Sequence, residues 1–280
     1  MLPPRFCLAL FAAMSLVGQN EVPDWTEVVN DSCKAPRDPS AVARSRDPIP
    51  FSEDGKVSRI LSAPEVAQLM SLVSSPDDCA AAQAVGLLWF LRRFNAIPAY
   101  PPQLIPSLKR TLESGDRWPG AGATKSDHRV RFLSSALRVL VMAKAPGMAD
   151  SYARVTKLDS PDSWDMNEVV RIAVSGLCAD LPSSKVAENA IGVLLDRGSD
   201  TPVHSLMFCP VIPVSFAPGL ARVVESPKGG DVTRALHAAS VLVRIPRSER
   251  GDRYDAALWR LVNANSDRSE VEEIIKALRE

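Results

Sequence analysis

The sequence predicts an all-α protein, and three observations carry the prediction. No stretch alternates apolar and polar residues in strict twos, as a half-buried strand would. From Ser62 onward, apolar residues recur at helical spacing. The breaks between these segments hold Pro, Gly, Ser and Asp, the residues that stop and start helices.

The first segment has another character. A short basic start ends at Arg5, an apolar run extends from Phe6 to Val17, and the polar pair Gln19 and Asn20 follows. This is the layout of a secretory signal peptide. A membrane span needs about 20 apolar residues, so the run is too short to anchor, and residues 1–18 are expected to be a signal cleaved near Ala13-Met14-Ser15 or after Gly18. Cys7 lies inside the run without the small residues a lipidation site needs. Residues 19–61 are rich in Pro and charge, echo Arg37-Asp38-Pro39 in Arg46-Asp47-Pro48, and read as a linker or irregular arm.

Removal of the signal leaves Cys33, Cys79, Cys178 and Cys209. In an oxidising compartment an even set permits two disulfides in three connectivities. The sequentially nearest pairing, Cys33 with Cys79 and Cys178 with Cys209, is the one to test against four buried thiols. Acidic and basic residues balance at 33 each. No global field therefore favours nucleic acid or an anionic membrane.

The helices follow in order. Ser62-Ala63-Pro64-Glu65 is a capping box. Ser75-Pro76-Asp77-Asp78 repeats the start signal, with Ser75 as cap and Pro76 at the first helical position. It opens an almost wholly apolar helix that reaches about residue 95 and is expected at the centre of the core. Further helices are expected at about 102–114, 127–145, 147–157, 164–180, 183–196, 214–225, 230–244, 252–264 and 267–280. Residues 203–215 could be a helical turn or an extended loop. In the last helix, Ser269 with Glu272 makes a second capping box, and Val271, Ile274, Ile275 and Leu278 form one apolar stripe.

Several helices share an opening. Ser126-Asp127-His128-Arg129-Val130-Arg131 compares with Asn167-Glu168-Val169-Val170-Arg171 and with Gly230-Asp231-Val232-Thr233-Arg234. Val130 and Val170 are 40 residues apart, Val186 and Val232 are 46, and Val232 and Val271 are 39. These intervals suit a helix pair with its turns. Ala173 and Gly176, Ala190, and Ala235 and Ala238 follow on the same faces, where small side chains admit a close neighbour. At these residues the chain resembles the HEAT-repeat family, whose second helices open with an acid, a Val-Arg pair and an Ala-rich stripe. Val186 lacks the Arg, Val170 precedes it by only sixteen residues, and Cys79 stands where a Val would be expected. The resemblance implies a right-handed α-α superhelix, a HEAT-like solenoid of four to six repeats, over residues 62–280. The alternative is an irregular all-helical domain.

No motif forms a catalytic, cofactor or metal site. Gly120-Ala121-Gly122-Ala123-Thr124-Lys125-Ser126 lacks the Gly before the Lys of a phosphate loop, so Ser126 or Asp127 reads as a cap. Asp159, Asp162, Asp165, Asn167 and Glu168 fall without the alternation or the Gly of a calcium loop and read as acids at a helix start. His128, His204 and His237 show no helical metal-ligand spacing. Arg92-Arg93, Lys109-Arg110 and the group Arg129, Arg131, Arg138 have no interleaved aromatics. Asn30-Asp31-Ser32 matches a glycosylation acceptor, a triplet frequent by chance. The expected function is that of an exported scaffold binding a protein or peptide along the concave face of its stacked helices, without cofactor, nucleic acid or stable membrane insertion. An all-helical enzyme with carboxylates assembled in the fold, and a structural envelope component, are the alternatives.

Overall fold

The computed structural model describes residues 24–34, 59–120, 123, 127–159, 164–199, 201–226 and 230–279. The expected signal peptide, residues 1–18, lies outside the described residues. Among the described residues all regular structure is helical and no strand occurs. The chain divides into two compact units at Ala143 and Lys144.

The first unit opens with a helix where an irregular arm was expected. Helix α1, Trp25–Lys34, is only 10 residues long. Its apolar positions fall four apart, with Trp25 and Val29 fully buried and Cys33 one turn on. Three positions are too few to show as periodicity, and tertiary anchors supply what local pattern lacks. Asp24 accepts the Thr26 N–H at 2.8 Å, the Trp25 N–H reaches Gln68 Oε1 at 3.1 Å, and Cys33 meets Cys79 with Cα atoms 5.9 Å apart, at disulfide distance.

Helix α2, Ala63–Val73, starts where its capping box predicts. The Ser62 N–H and hydroxyl both donate to Glu65 Oε2 at 2.8 Å. Glu65 is 1% exposed, and its carboxylate also accepts both terminal nitrogens of Arg59, at 2.8 and 2.6 Å, and the Trp25 indole N–H at 3.2 Å. A buried charge is tolerable only when it is paired and hydrogen-bonded, and this one binds α1, α2 and the segment before α2 into one group.

Helix α3, Asp78–Arg93, begins later than the Ser75-Pro76 signal implies. Asp77 is its cap and accepts the Cys79 N–H at 2.9 Å, while the Ser75 hydroxyl accepts the Asp77 N–H at 3.2 Å. Ser75 thus closes the preceding turn, and Pro76 stays outside the helix. Ala81, Ala84, Val85, Leu88 and Leu91 are fully buried, as a core helix requires. Helix α4, Leu104–Ser114, buries Leu104, Leu108 and Leu112 and stops at Gly115, whose φ of 77° suits a residue without Cβ. Helix α5, His128–Met142, is capped by Asp127, which accepts the Arg129 N–H at 2.8 Å. α3 and α5 run parallel and in contact: Asp78 Oδ2 meets Arg129 Nε at 2.8 Å near their starts, and Arg138 lies over Trp89 toward their ends.

The second unit is built as two layers. Helices α6 (Ala149–Val155), α8 (Lys185–Asp196), α10 (Ala217–Glu225) and α13 (Asp255–Ala264) touch in succession in the first layer. Helices α7 (Trp164–Asp180), α9 (Val203–Leu206), α11 (Val232–Leu242) and α14 (Glu270–Arg279) touch in succession in the second. α6 packs on α7, α10 on α11 and α13 on α14. A one-turn helix, α12 (Arg247–Arg250), precedes α13, and the buried Arg250 there pairs with Asp255, which Arg247 meets from the other side at 2.8 Å.

Within the second unit the recurring sequences sort by layer. Asp231 caps α11 by accepting the Thr233 and Arg234 N–H groups at 3.0 and 3.3 Å, as Asp127 caps α5. Val130, Val170 and Val271 are buried, whereas Val186 opens a first-layer helix and is 39% exposed. Val186 therefore does not hold the position of the other valines, and its short distance from Val170 is that between neighbouring helices of different layers. The small residues do admit close neighbours: a Cβ on Gly176 would stand 2.5 Å from the Tyr152 ring of α6, and one on Gly219 of α10 would stand 2.5 Å from Leu195 Cβ of α8. In α14 the expected stripe is buried at Val271, Ile274 and Leu278. The Ser269 hydroxyl, however, donates to Glu270 at 3.2 Å in place of a box with Glu272.

Glu65 sets an acid limit on the first unit. Its hydrogen bonds from Arg59, with those from Ser62 and Trp25, hold the carboxyl well below its ordinary 4.5, at about 2. A depressed acid contributes stability that is complete above the unfolded value and is lost as pH falls through the folded one. Stability should fall from about pH 4.5 to about 2, and Glu65→Gln should lower stability at neutral pH and flatten that slope in chemical denaturation. An unchanged slope in the variant would assign the acid transition to other carboxylates.

Candidate functional site

The exposed side of the second layer in the second unit carries a row of charged and imidazole groups, supplied in turn by each of its helices. α7 gives Glu168 and Arg171. Their fork is bidentate, with Arg171 Nε and Nη2 both 2.7 Å from the carboxylate, and the three-residue spacing places both on one helix face. α9 gives His204 and α11 gives His237, with ring centroids 5.9 Å apart. The start of α14 follows with Glu270, close enough to His237 to feel its charge, and with Arg268, whose Nη1 reaches Thr233 Oγ1 of α11 at 3.3 Å.

Burial pushes the His204 imidazole below its ordinary value, the charges of Arg171 and His237 add to the depression, and Glu168 opposes it. The His204 imidazole, half-buried beside an arginine, resists becoming positive on acidification, and the His237 ring stands next to it on the neighbouring helix. Together they offer imidazole nitrogens as hydrogen-bond donors and acceptors across two adjacent helices.

Beside the row stands an apolar projection. Phe208 is 75% exposed, Val211 48% and Val214 45%. The His204 and Phe208 rings meet edge to face at 5.5 Å. The backbone beneath is held firmly. Arg244, just past α11, donates to the carbonyls of Leu206 at 3.0 Å and Met207 at 2.9 Å, and to that of Cys209. The Ser205 hydroxyl donates to the Arg171 carbonyl at 2.9 Å, and Cys209 lies at disulfide distance from Cys178 of α7, Cα atoms 4.9 Å apart. A large aromatic held exposed keeps its apolar surface in water and forgoes the stabilisation that burial would give.

Both cysteine pairs are those nearest in sequence. The carboxylates expected at the start of α7 are engaged separately, Asp159 accepting the Thr201 hydroxyl at 3.0 Å and Glu168 facing Arg171. Asp162 and the side chain of Asp165 lie outside the described residues, as does most of Gly120 to Ser126. His128 opens α5 in the first unit. The meeting of His204 with His237 escaped sequence reasoning because they stand on different helices, 33 residues apart. Only an alignment of α9 with α11 would have placed them side by side. Comparison with known protein families, with characterised proteins and with solved structures returned no match.

An NMR pH titration should place His204 below 6.5. In His237→Gln its value should rise part of the way, since burial persists. A histidine depressed on folding contributes stability present above the unfolded value and lost as pH falls through it. The second unit should therefore weaken as pH drops below about 6.5. A His204 value at or above the ordinary one would show that the imidazole is neither buried nor next to Arg171.

Proposed function

We propose that the chain is an exported HEAT-like repeat protein, a right-handed α-α superhelix, that binds a protein or peptide partner along the exposed side of its second layer. The observation that carries this reading is the fixed exposure of Phe208 beside the row from Glu168 to Arg268. An aromatic anchor rimmed by polar groups is the composition of a protein-binding hot spot. The succession of α7, α9, α11 and α14 supports the repeat reading, because stacked units expose one continuous face to ligands. Export is supported by the basic, apolar and polar order of the first twenty residues and by the placement of four cysteines as two pairs. In the oxidised protein Cys178–Cys209 fixes the floor under Phe208.

A photo-reactive amino acid at position 208 tests the partner, with the same probe at Lys185 as control, a first-layer position whose side chain is 85% exposed. Adducts with a discrete protein in the exported fraction should form at 208 and not at 185, and competition with unlabelled protein should lose about tenfold in strength with Phe208→Ser. Equal labelling at both positions, or none, overturns the binding face. Alkylation of the same preparation without reductant should label none of the four thiols, and labelling of all four overturns oxidation and weakens export.

A further inference from the structure

The first unit carries a second surface, independent of the row in the second unit. On the exposed side of α3 and α5, the Arg138 and Arg93 guanidinium carbons lie over the Trp89 ring, 4.8 and 5.4 Å from its centroid. Arg92 follows on α3 and spends one N–H on Asn95 Oδ1 at 3.1 Å. Gly86, one turn before Trp89, faces Ser135 of α5, where even an added Cβ would stand 3.4 Å from its hydroxyl. Arg92-Arg93 were expected without an aromatic partner, yet Trp89 stands one helical turn before Arg93 on α3 and meets it there. The parallel register of α3 and α5 adds Arg138 to the same ring.

Charge is segregated along the two helices. Asp78, at the start of α3, pairs with Arg117 at 3.1 Å and with Arg129 at 2.8 Å. The Trp89–Arg93 turn lies roughly 16–22 Å farther along the helix, at 1.5 Å per residue. There, among the described residues, no carboxylate is in ion-pair contact with Arg92 or Arg93. Arginines at helix ends do complement the negative end of the macrodipole. That effect needs charge alone, and it does not account for two guanidinium groups gathered on one ring.

We infer that the surface formed by Trp89, Arg92 and Arg93, with Arg138 lying behind the ring, is a docking site for an acidic peptide segment of a partner protein. The ring stacks the guanidinium planes and limits their rotation, and a planar, oriented fork binds a carboxylate through two parallel hydrogen bonds. With cations already over the ring, the indole is committed to holding arginines and is not offered as a platform for bases. A chain of zero formal charge with this small cationic cluster lacks the field that a polynucleotide requires. Complementary charge, with oriented forks to read it, fits a short run of Asp and Glu.

The test is fluorescence anisotropy of a fluorescein-labelled, Glu-rich dodecapeptide titrated with the full-length protein. Saturable binding should appear at low ionic strength and weaken as salt rises. Arg93→Glu, at an exposed position, should weaken it about tenfold or more, Arg93→Lys should fall between, and Phe208→Ser should leave it unchanged. Circular dichroism of Arg93→Glu should match the parent. Absence of binding, an unaltered affinity in a folded Arg93→Glu protein, or equal or tighter binding of a single-stranded oligonucleotide of the same length would overturn the inference. An effect of Phe208→Ser equal to that of Arg93→Glu would assign the peptide to the second unit instead.

Discussion

Helix α9 has four residues, yet it holds a place in the second layer that α7 fills with 17 and α11 with 11. A single turn cannot stand by propensity, since nucleation alone costs more than its one or two hydrogen bonds return. Its position is imposed by what surrounds it. Val203 and Leu206 are buried, the Ser205 hydroxyl is held by the Arg171 carbonyl, the Arg244 fork collects the carbonyls at its end, and Cys178 lies beneath Cys209. Without that clamp α7 and α11 would face each other across a gap, and the row of groups that crosses them would be broken at His204.

The same economy explains where the polar groups go. Each cap acid at the start of α3, α5 and α11 satisfies N–H groups of its own helix, so local hydrogen bonding uses it. Glu65 answers a different need, a charge taken out of water and surrounded by donors from three places in the chain. What remains on the surfaces is a set of arginines, imidazoles and aromatics with some contacts on one helix, as Glu168 with Arg171 and Trp89 with Arg93, and others between helices, as His204 with His237 and Arg138 with Trp89. Their geometry depends on how neighbouring helices are aligned along their axes, and that alignment is set by buried small residues such as Gly176 and Ala235.

What was legible in the sequence follows the same division. Asp127, Asp231 and the Ser62–Glu65 pair act within a few residues, so their caps could be read directly, and the helix at 164–180 was bounded correctly by its pattern. Ser75 misled because a hydroxyl before Pro serves a turn as well as a helix. Helix α1 was hidden because its anchors, Gln68, Glu65 and Cys79, stand over thirty residues away. Val186 had the right spacing and the wrong layer, an ambiguity that a one-dimensional interval cannot resolve. The encounters of His204 with His237 and of Trp89 with Arg138 belong to helix alignment, which no local pattern records.

The members of the two cysteine pairs are 46 and 31 positions apart in sequence, and each pair lies inside one unit. Four thiols can be joined in three ways, and this is the only one in which no bridge spans another. A chain is synthesised amino end first. Of these four, Cys79 is therefore the first to follow Cys33, and Cys178 appears after both. Order of synthesis thus runs the same way as the observed pairing, and oxidation of these two pairs would need no exchange among the four sulfurs.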